Sequence, residues 1–336
     1  MSIIDTIDGF QRRHHVLGFP LAVIYKFFDD QGPYLAAIIT YYAFIAIFPV
    51  LLIATSVLGF FLQNDPELQQ QLLDTVLAQF PIVGDQLGRP DGFSGSTSAI
   101  VVGALAATYG VMGLGLSVQN AGNVAWAVPR NSRPNPILLR LRSLIIMAIA
   151  GSGILIVAIG TSLLQDPAAI GLGSVPDLGI LIRLIGFIMT AAMFIALFLM
   201  ISLGRASFGS VLPGAIFCAL AWQGLQYGGD VYVRHIIVRA SAMNQTFALV
   251  LGLIAFLFIA ALIVIIGLEV NVVLRRRLYP RALLTPFTDN VRLGPGDIRA
   301  YTSYARMQRH KGFEKISVEF VADEEPARGS EGQSAH

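Results

Sequence analysis

Six long apolar stretches, separated by segments that carry nearly all of the charge, constrain this chain more than any other feature. A helix that crosses a bilayer needs about 20 predominantly apolar residues, and each stretch is long enough. The stretches are continuous rather than alternating, which favours helices over the strands of a barrel. The sequence therefore predicts an all-α membrane protein with six transmembrane helices. The predicted spans lie within 31–64, 97–118, 143–164, 184–203, 206–229 and 247–268.

The composition excludes most other classes of protein. Charged residues make up 13% of the chain, about half of the roughly 25% usual in soluble domains, so a soluble globule would lack its charged coat. The net charge of +2 gives no sign of a polyanionic partner, and we expect no nucleic acid to bind. Cys218 is the single cysteine, which excludes an intrachain disulfide and a cysteine-rich metal site. We expect no metal and no other cofactor.

The distribution of Lys and Arg predicts the orientation of the spans. With both termini on the cytoplasmic side, 19 of the 23 basic residues fall on that side, as the positive-inside rule requires. Three parts follow: a cytoplasmic or interfacial segment over 1–30, a transmembrane domain over 31–272 and a cytoplasmic tail over 273–336. We expect an N-terminal interfacial helix in the first part. The short soluble tail is basic at its start, acidic later and disordered near its end.

The sequence also indicates what the protein contacts. Beyond the bilayer itself, the basic start of the tail at Arg275, Arg276 and Arg277 predicts contact with anionic lipids. Gly224 and Gly228 form a GxxxG pair, which is typical of close helix packing within a bundle or of a homo-oligomer contact. A second row of small residues carries the same two alternatives. It comprises Ala99, Gly103, Ala107, Gly110, Gly113 and Gly115.

Glu269 is the acidic residue that lies in or beside an apolar stretch, with Asn271 close to it. A carboxylate at the bilayer centre costs about 3 kcal/mol, and less near the interface, so this side chain must face protein or water. Two interpretations stay open. Glu269 is either a helix-end carboxylate that pairs with Arg276 or with another basic loop, or part of a proton or cation relay.

Two further sets of residues are candidates for a polar or transport site. Asn120 and Asn123 share one helical face near the end of the second span, where amides either hydrogen-bond to a neighbouring helix or line a polar vestibule. Pro49 lies inside the first span and frees the carbonyl of Ile45, with Tyr42 on the same face. This arrangement is either a midplane polar site or a simple packing kink.

The motifs of several enzyme classes are missing from the chain. No lysine follows a glycine in a Gly-Lys-Ser/Thr phosphate loop, and no His-Glu-x-x-His metal motif occurs. Hydrolytic or nucleolytic chemistry has no visible carboxylate cluster to hold a metal. We therefore expect that the protein is not an enzyme and that it does not hydrolyse ATP.

Three segments together resemble the YihY/virulence factor BrkB family of bacterial membrane proteins. The opening segment runs from Phe27-Phe28-Asp29-Asp30 through Tyr41-Tyr42 to Phe48-Pro49. The second runs from Val102 to Trp126, and the third is Gly267-Leu268-Glu269-Val270-Asn271. The resemblance covers about residues 10 to 280 and implies a six-helix, multi-pass protein of the bacterial cytoplasmic membrane. Members of the family have been labelled a tRNA-processing ribonuclease and a serum-resistance virulence factor.

The leading functional prediction is a transporter, exporter or lipid-handling protein of the cell envelope that is not driven by ATP. It depends on the six spans and on the polar groups inside them. The alternative is a structural or scaffold protein of the envelope without transport activity. The ribonuclease label has no support in these residues.

The topology is open to a direct test with reporter fusions. Fusions at Gly84 and Asp177 should report an external position, because both loops are poor in Lys and Arg. A fusion at Ser132, in a loop rich in arginine, should report a cytoplasmic position. The six-span prediction is wrong if the reporter at Gly84 gives a cytoplasmic signal.

Overall fold

The computed structural model of the chain describes residue 8 and residues 15–61, 97–165, 178–202, 204–239, 242–283 and 293–320. Every regular element in these residues is helical, which confirms the all-α prediction. Most of the N-terminal segment before residue 15, the loop over 62–96 and the end of the tail lie outside the described residues. The disorder expected at the end of the tail therefore stays a prediction.

Six of the described α-helices are long and two are short. The helices are α1 His15–Asp29, α2 Gly32–Phe61, α3 Thr97–Ala125, α4 Pro136–Gln165, α5 Leu178–Ile201, α6 Phe208–Tyr232, α7 Ala242–Arg276 and α8 Pro295–Met307. A 3-10 turn at Arg130–Ser132 precedes α4, and a π-helical turn at Val233–Ile237 follows α6.

Helices α2 to α7 coincide with the six predicted spans. Four segments in the described residues are long and apolar enough to cross a membrane, while the apolar segment described in α2, Gly32–Ile47, is shorter. The four segments are Pro136–Val157, Arg183–Ile201, Phe208–Ile237 and Phe247–Arg276. Between 17% and 39% of each segment is buried inside the chain, so most of the apolar surface faces outward. These are the helices of a membrane protein, and the number of crossings stays a prediction.

The six long helices form a closed ring. Each packs against the helices that precede and follow it in the sequence, and α7 packs against α2 to complete the circle. Contacts between neighbouring helices run in opposite directions along the chain, as where Ala46 lies against Gly110 and Tyr42 against Gly113. The helices are therefore antiparallel, and α3, α5 and α7 end on the side where α2, α4 and α6 begin. We call this side, marked by Arg142, Arg205 and Arg276, the basic end. Helix α1 packs there against α7 and α2.

Arginine side chains cap the helix C-termini at the basic end. Arg276 of α7 donates a hydrogen bond of 2.5 Å to the carbonyl of Trp126, just after α3. Arg142 of α4 likewise donates to the carbonyl of Met200 in the last turn of α5. The last carbonyls of a helix lack partners within it and carry a partial negative charge, so a cation there is stabilising. These contacts explain why arginine concentrates at this end.

The described part of the row of small residues on α3, from Ala107 to Gly115, packs inside the ring, which agrees with the first of the two alternatives. A Cβ added to Gly110 would meet the backbone of Ala46 on α2 at 2.9 Å, and one added to Gly113 would overlap the ring of Tyr42. Gly224 and Gly228 differ, because no described atom lies within 4 Å of a Cβ at either position. The prediction that this pair packs within the bundle is wrong, and a homo-oligomer contact stays a prediction.

Helices α6 and α7 approach most closely at Gly214 and Gly267. A Cβ on Gly214 would overlap the carbonyl oxygen of Gly267, and one on Gly267 would overlap the sulfur of Cys218. Asn271 accepts a hydrogen bond of 2.7 Å from the backbone N–H of Gly214. The absence of side chains here lets the two backbones share polar contacts inside an apolar ring.

We predict that Gly214→Ala destabilises the protein, because the added methyl group must push two backbones apart. The expected loss of unfolding free energy is about 1–3 kcal/mol, the usual cost of overpacking. Gly224→Ala on the same helix is the matched control, where better helix propensity should be neutral or stabilising by up to about 1 kcal/mol. Thermal unfolding in detergent measures both. Equal midpoints for the two variants would contradict the packing described for Gly214.

Candidate functional site

A buried ionic triad joins α1 to α7 at the basic end. The ammonium nitrogen of Lys26 lies 2.5 Å from Oδ2 of Asp30 and 3.2 Å from Oε2 of Glu269. All three side chains are almost fully buried, and the exposed fraction of Glu269 is 0%. We call these three residues the Lys26 triad.

The local structure of α1 explains why two members of the triad face α7. Lys26 and Asp30 are four residues apart, which places their side chains on one face of a helix. The chain then turns at Gln31, whose φ of 57° lies in the left-handed region, and α2 begins. Burial lowers the pKa of Lys26, but the charges of Glu269 and Asp30 outweigh it and raise the pKa above its ordinary value. Lys26 therefore remains a cation.

The triad contains one cation and two carboxyl groups. If both carboxyl groups are ionised, a net negative charge is buried, which costs several kcal/mol unless hydrogen bonds compensate it. Neither oxygen of Glu269 accepts a well-formed hydrogen bond from any described residue, although Oε2 lies 3.2 Å from Lys26. A proton on Glu269 would make the triad neutral, and the exchange of that proton stays a prediction.

A second ionic group, centred on Arg281, lies beside the triad. Its Nε lies 2.6 Å from Oδ1 of Asp297, and Nη1 and Nη2 each lie 3.1 Å from Oδ2 of Asp29. The backbone N–H groups of Ala282 and Gly294 both donate to Oδ2 of Asp297 at 2.9 Å. Burial lowers the pKa of Arg281, but the two carboxylates outweigh it and raise the pKa above its ordinary value. We call Arg281, Asp29 and Asp297 the Arg281 clamp.

Tyr304 on α8 connects the clamp to the triad. Its hydroxyl group donates to Oδ2 of Asp29 at 3.3 Å, and the Nζ atom of Lys26 lies 5.4 Å from the centre of its ring. Burial raises the pKa of Tyr304 well above its ordinary value, so the phenol stays protonated and remains a donor. Helix α8 thus covers the outer side of the triad with an aromatic ring.

Of the two kinds of partner predicted for Glu269 as a helix-end carboxylate, Arg276 is wrong, and a basic residue from another part of the chain is found instead. Helix α7 continues past Glu269 to Arg276, because Val272 and Val273 are fully buried and extend the packed face. The cation beside Glu269 is Lys26 of α1, while Arg276 binds the carbonyl of Trp126 instead. The second interpretation, a proton or cation relay, stays a prediction.

The predicted asparagine sites are not brought together. Asn271 is buried and accepts from Gly214, so it links α7 to α6. Asn123 is also buried, and its Oδ1 has no partner among the described residues. Asn120 is exposed and lies 3.4 Å from Arg133 at the basic end. Interhelical hydrogen bonding is thus observed for Asn271 but not for Asn120.

The other predicted residues lie apart from the triad or outside the described side chains. Tyr42 packs between α2 and α3, with its ring centre 5.8 Å from that of Tyr109. Pro49 falls within the bounds of α2, but its side chain lies outside the described residues. Arg275 and Arg277 are exposed, and Arg276 is half-buried. Their contact with anionic lipids stays a prediction.

The residues that surround Glu269 were missed by the sequence interpretation. A signal for two of them was present, since Lys26 and Asp30 have opposite charges at helical spacing just before the first apolar stretch. No such signal existed for Arg281, Asp297 and Tyr304, because a charged segment after the last apolar stretch is expected to be exposed to solvent.

The chain matches a family model described as Virulence factor BrkB over residues 23–290. The chain belongs to this family. The match confirms the resemblance noted in the sequence, and the BrkB region includes the Lys26 triad and Arg281 but ends before α8. No curated protein and no solved structure matches the chain.

We predict that Asp297→Ala releases α8 from the rest of this BrkB-family protein. The substitution removes one of the two carboxylates of Arg281 and leaves two backbone N–H groups without their acceptor. Breaking a buried ion pair costs about 3–5 kcal/mol. Limited proteolysis of the purified protein should therefore cut after residue 278 much faster than in the wild type.

Asp230→Ala is the control for this prediction. Asp230 forms an ion pair with Arg234 that is largely exposed, and such a pair contributes about 1 kcal/mol or less. The clamp would have no structural importance if both variants were cut at the wild-type rate.

Proposed function

We propose that this BrkB-family protein is a multi-pass transporter of the cytoplasmic membrane. It would move a solute or a lipid of the cell envelope, without ATP hydrolysis and without enzymatic chemistry. The single observation that carries the proposal is the Lys26 triad, an incompletely compensated ionic group inside one end of a ring of apolar helices. Buried ionisable groups in membrane proteins are costly and commonly mark ion pathways and proton relays.

The ring supports a topology of six crossings with both termini in the cytoplasm. Helices α3, α5 and α7 end at the basic end, where arginines bind their last carbonyls. The positive-inside rule places such an end in the cytoplasm. Helices α1 and α8 then lie on the cytoplasmic face, and the triad lies near the cytoplasmic mouth of the ring.

Proton exchange at the triad supplies a mechanism for a change between two states. With a proton on Glu269 the triad is neutral, and α1 stays docked on α7. Loss of that proton leaves an excess negative charge, which weakens the contact or draws in a cation. The surrounding charged and titratable groups are Arg276 on α7, Tyr304 on α8, and the Arg281 clamp. Two arrangements that differ in protonation are the minimum that a proton-coupled transporter needs.

We predict that Glu269→Gln abolishes coupled transport. Glutamine keeps the size of the side chain and removes the proton site. In proteoliposomes with an imposed membrane potential, proton flux should fall to the level of protein-free vesicles, measured with an internal pH-sensitive dye. The same variant should fail to complement a deletion strain.

The matched control is Glu319→Gln, the same substitution at an exposed position on the tail. Size-exclusion chromatography and thermal unfolding establish that both variants are folded. The transport proposal is wrong if the wild-type protein moves no ion, solute or lipid and Glu269→Gln complements the deletion fully. That outcome, with loss of phenotype on truncation of the tail, would favour the alternative of an envelope scaffold.

A further inference from the structure

A basic cleft opens between α8 and the turn that follows α3, beside the end of α7. Its volume is about 410 Å³, within the range of pockets that hold small molecules. It is separate from the Lys26 triad, none of whose residues lines it. The lining residues are Ala127, Pro129, Arg276, Ile298, Arg299, Thr302, Ser303 and Arg306.

The cleft carries three positive charges and no carboxylate among its lining residues. None of the guanidinium groups of Arg276, Arg299 and Arg306 forms an ion pair with a carboxylate in the described part of the chain. Arg281, only a few residues away from Arg276, has two carboxylate partners. The three cleft arginines are therefore available to an anion from outside the chain.

The orientation of the three side chains is set by the fold. Arg276 donates to the carbonyl of Trp126 and lies 5.9 Å from the centre of its indole ring. Arg299 donates to the carbonyl of Arg277. Arg299 and Arg306 are seven residues apart on α8, which places them on one face of that helix. Each guanidinium group has five N–H donors, so most of them are left for a ligand.

Other charged residues add to the positive electrostatic potential of the cleft. Arg205 lies close enough to repel the charges of both Arg142 and Arg276. Nε of Arg142 and Nη1 of Arg205 are buried, and neither has a hydrogen-bond partner among the described residues. Asp30, by contrast, attracts Arg276. Arg205 thus adds positive charge beside Arg276, and an anion in the cleft would offset this repulsion.

We propose that this cleft binds a phosphate group, carried either by the headgroup of an anionic lipid or by a soluble molecule. The planar fork of arginine matches the oxygens of a phosphate and binds them with two parallel hydrogen bonds. The cleft lies where the apolar part of α7 ends, at the level at which lipid headgroups would meet the protein. Arg299 and Arg306 also lie beyond residue 290, where the family match ends. The site is thus formed jointly by the matched region and by α8, and it does not depend on transport.

Trp126 provides the signal for a binding experiment. The chain contains two tryptophans, so Trp222→Phe leaves Trp126 as the sole indole, directly beneath Arg276. The full-length variant in detergent is titrated with inorganic phosphate, short-chain phosphatidylglycerol and short-chain phosphatidylcholine. We expect saturable quenching or a shift of Trp126 emission with phosphatidylglycerol. Saturation with inorganic phosphate as well would identify a soluble phosphate as a ligand, and saturation with phosphatidylglycerol alone would identify the lipid headgroup.

Arg299→Gln combined with Arg306→Gln tests the site itself. Both side chains are exposed, so the variant should fold, and the affinity should fall by about tenfold for each charged contact removed. Arg140→Gln is the matched control, because Arg140 is an exposed arginine at the start of α4 that does not line the cleft. The proposal is overturned if no anion gives a saturable signal. It is also overturned if phosphatidylcholine binds as well as phosphatidylglycerol, or if Arg140→Gln weakens binding as much as the double variant.

Discussion

The contact between Lys26 and Glu269 is the interaction on which the basic end of the protein depends. A carboxylate fully removed from water needs a cation or a proton, and among the described residues the cation beside Glu269 comes from α1, not from the ring of α2 to α7. Helix α1 must therefore pack against α7, and this places Asp30 and Asp29 at the mouth of the ring. Asp29 in turn receives Arg281, which aligns the tail so that α8 covers the triad.

The triad and the clamp contain the same charges but differ in how these are compensated. Each has one cation and two carboxyl groups. In the clamp, Asp297 accepts hydrogen bonds from two backbone N–H groups, and Asp29 keeps some contact with solvent. In the triad, Glu269 has no described hydrogen-bond donor with good geometry. The clamp therefore joins the tail to the bundle through well-compensated charges, and the triad is the less completely compensated of the two groups.

The sequence predicted correctly those features that depend on residues close together in the chain. Continuous apolar stretches placed α2 to α7 correctly, because a helix of this composition has no alternative in lipid. The small residues at Gly110 and Gly113 indicated a close helix contact that the structure contains. Of the partners expected for Glu269, Arg276 was wrong, because it was chosen for its nearness in sequence. The true neighbour, Lys26, belongs to a helix that was read as interfacial and peripheral.

Hydropathy and charge were enough to establish a helical membrane protein whose apolar helices have basic connections at one end. These properties depend on the free energy of transferring each residue from water to lipid, and the residue type alone sets that free energy. Which charges meet depends instead on how the ring closes and where α1 and α8 dock, and those contacts join residues far apart in the chain. Only the packed structure could therefore bring Lys26 to Glu269, and set Arg276, Arg299 and Arg306 around one cleft.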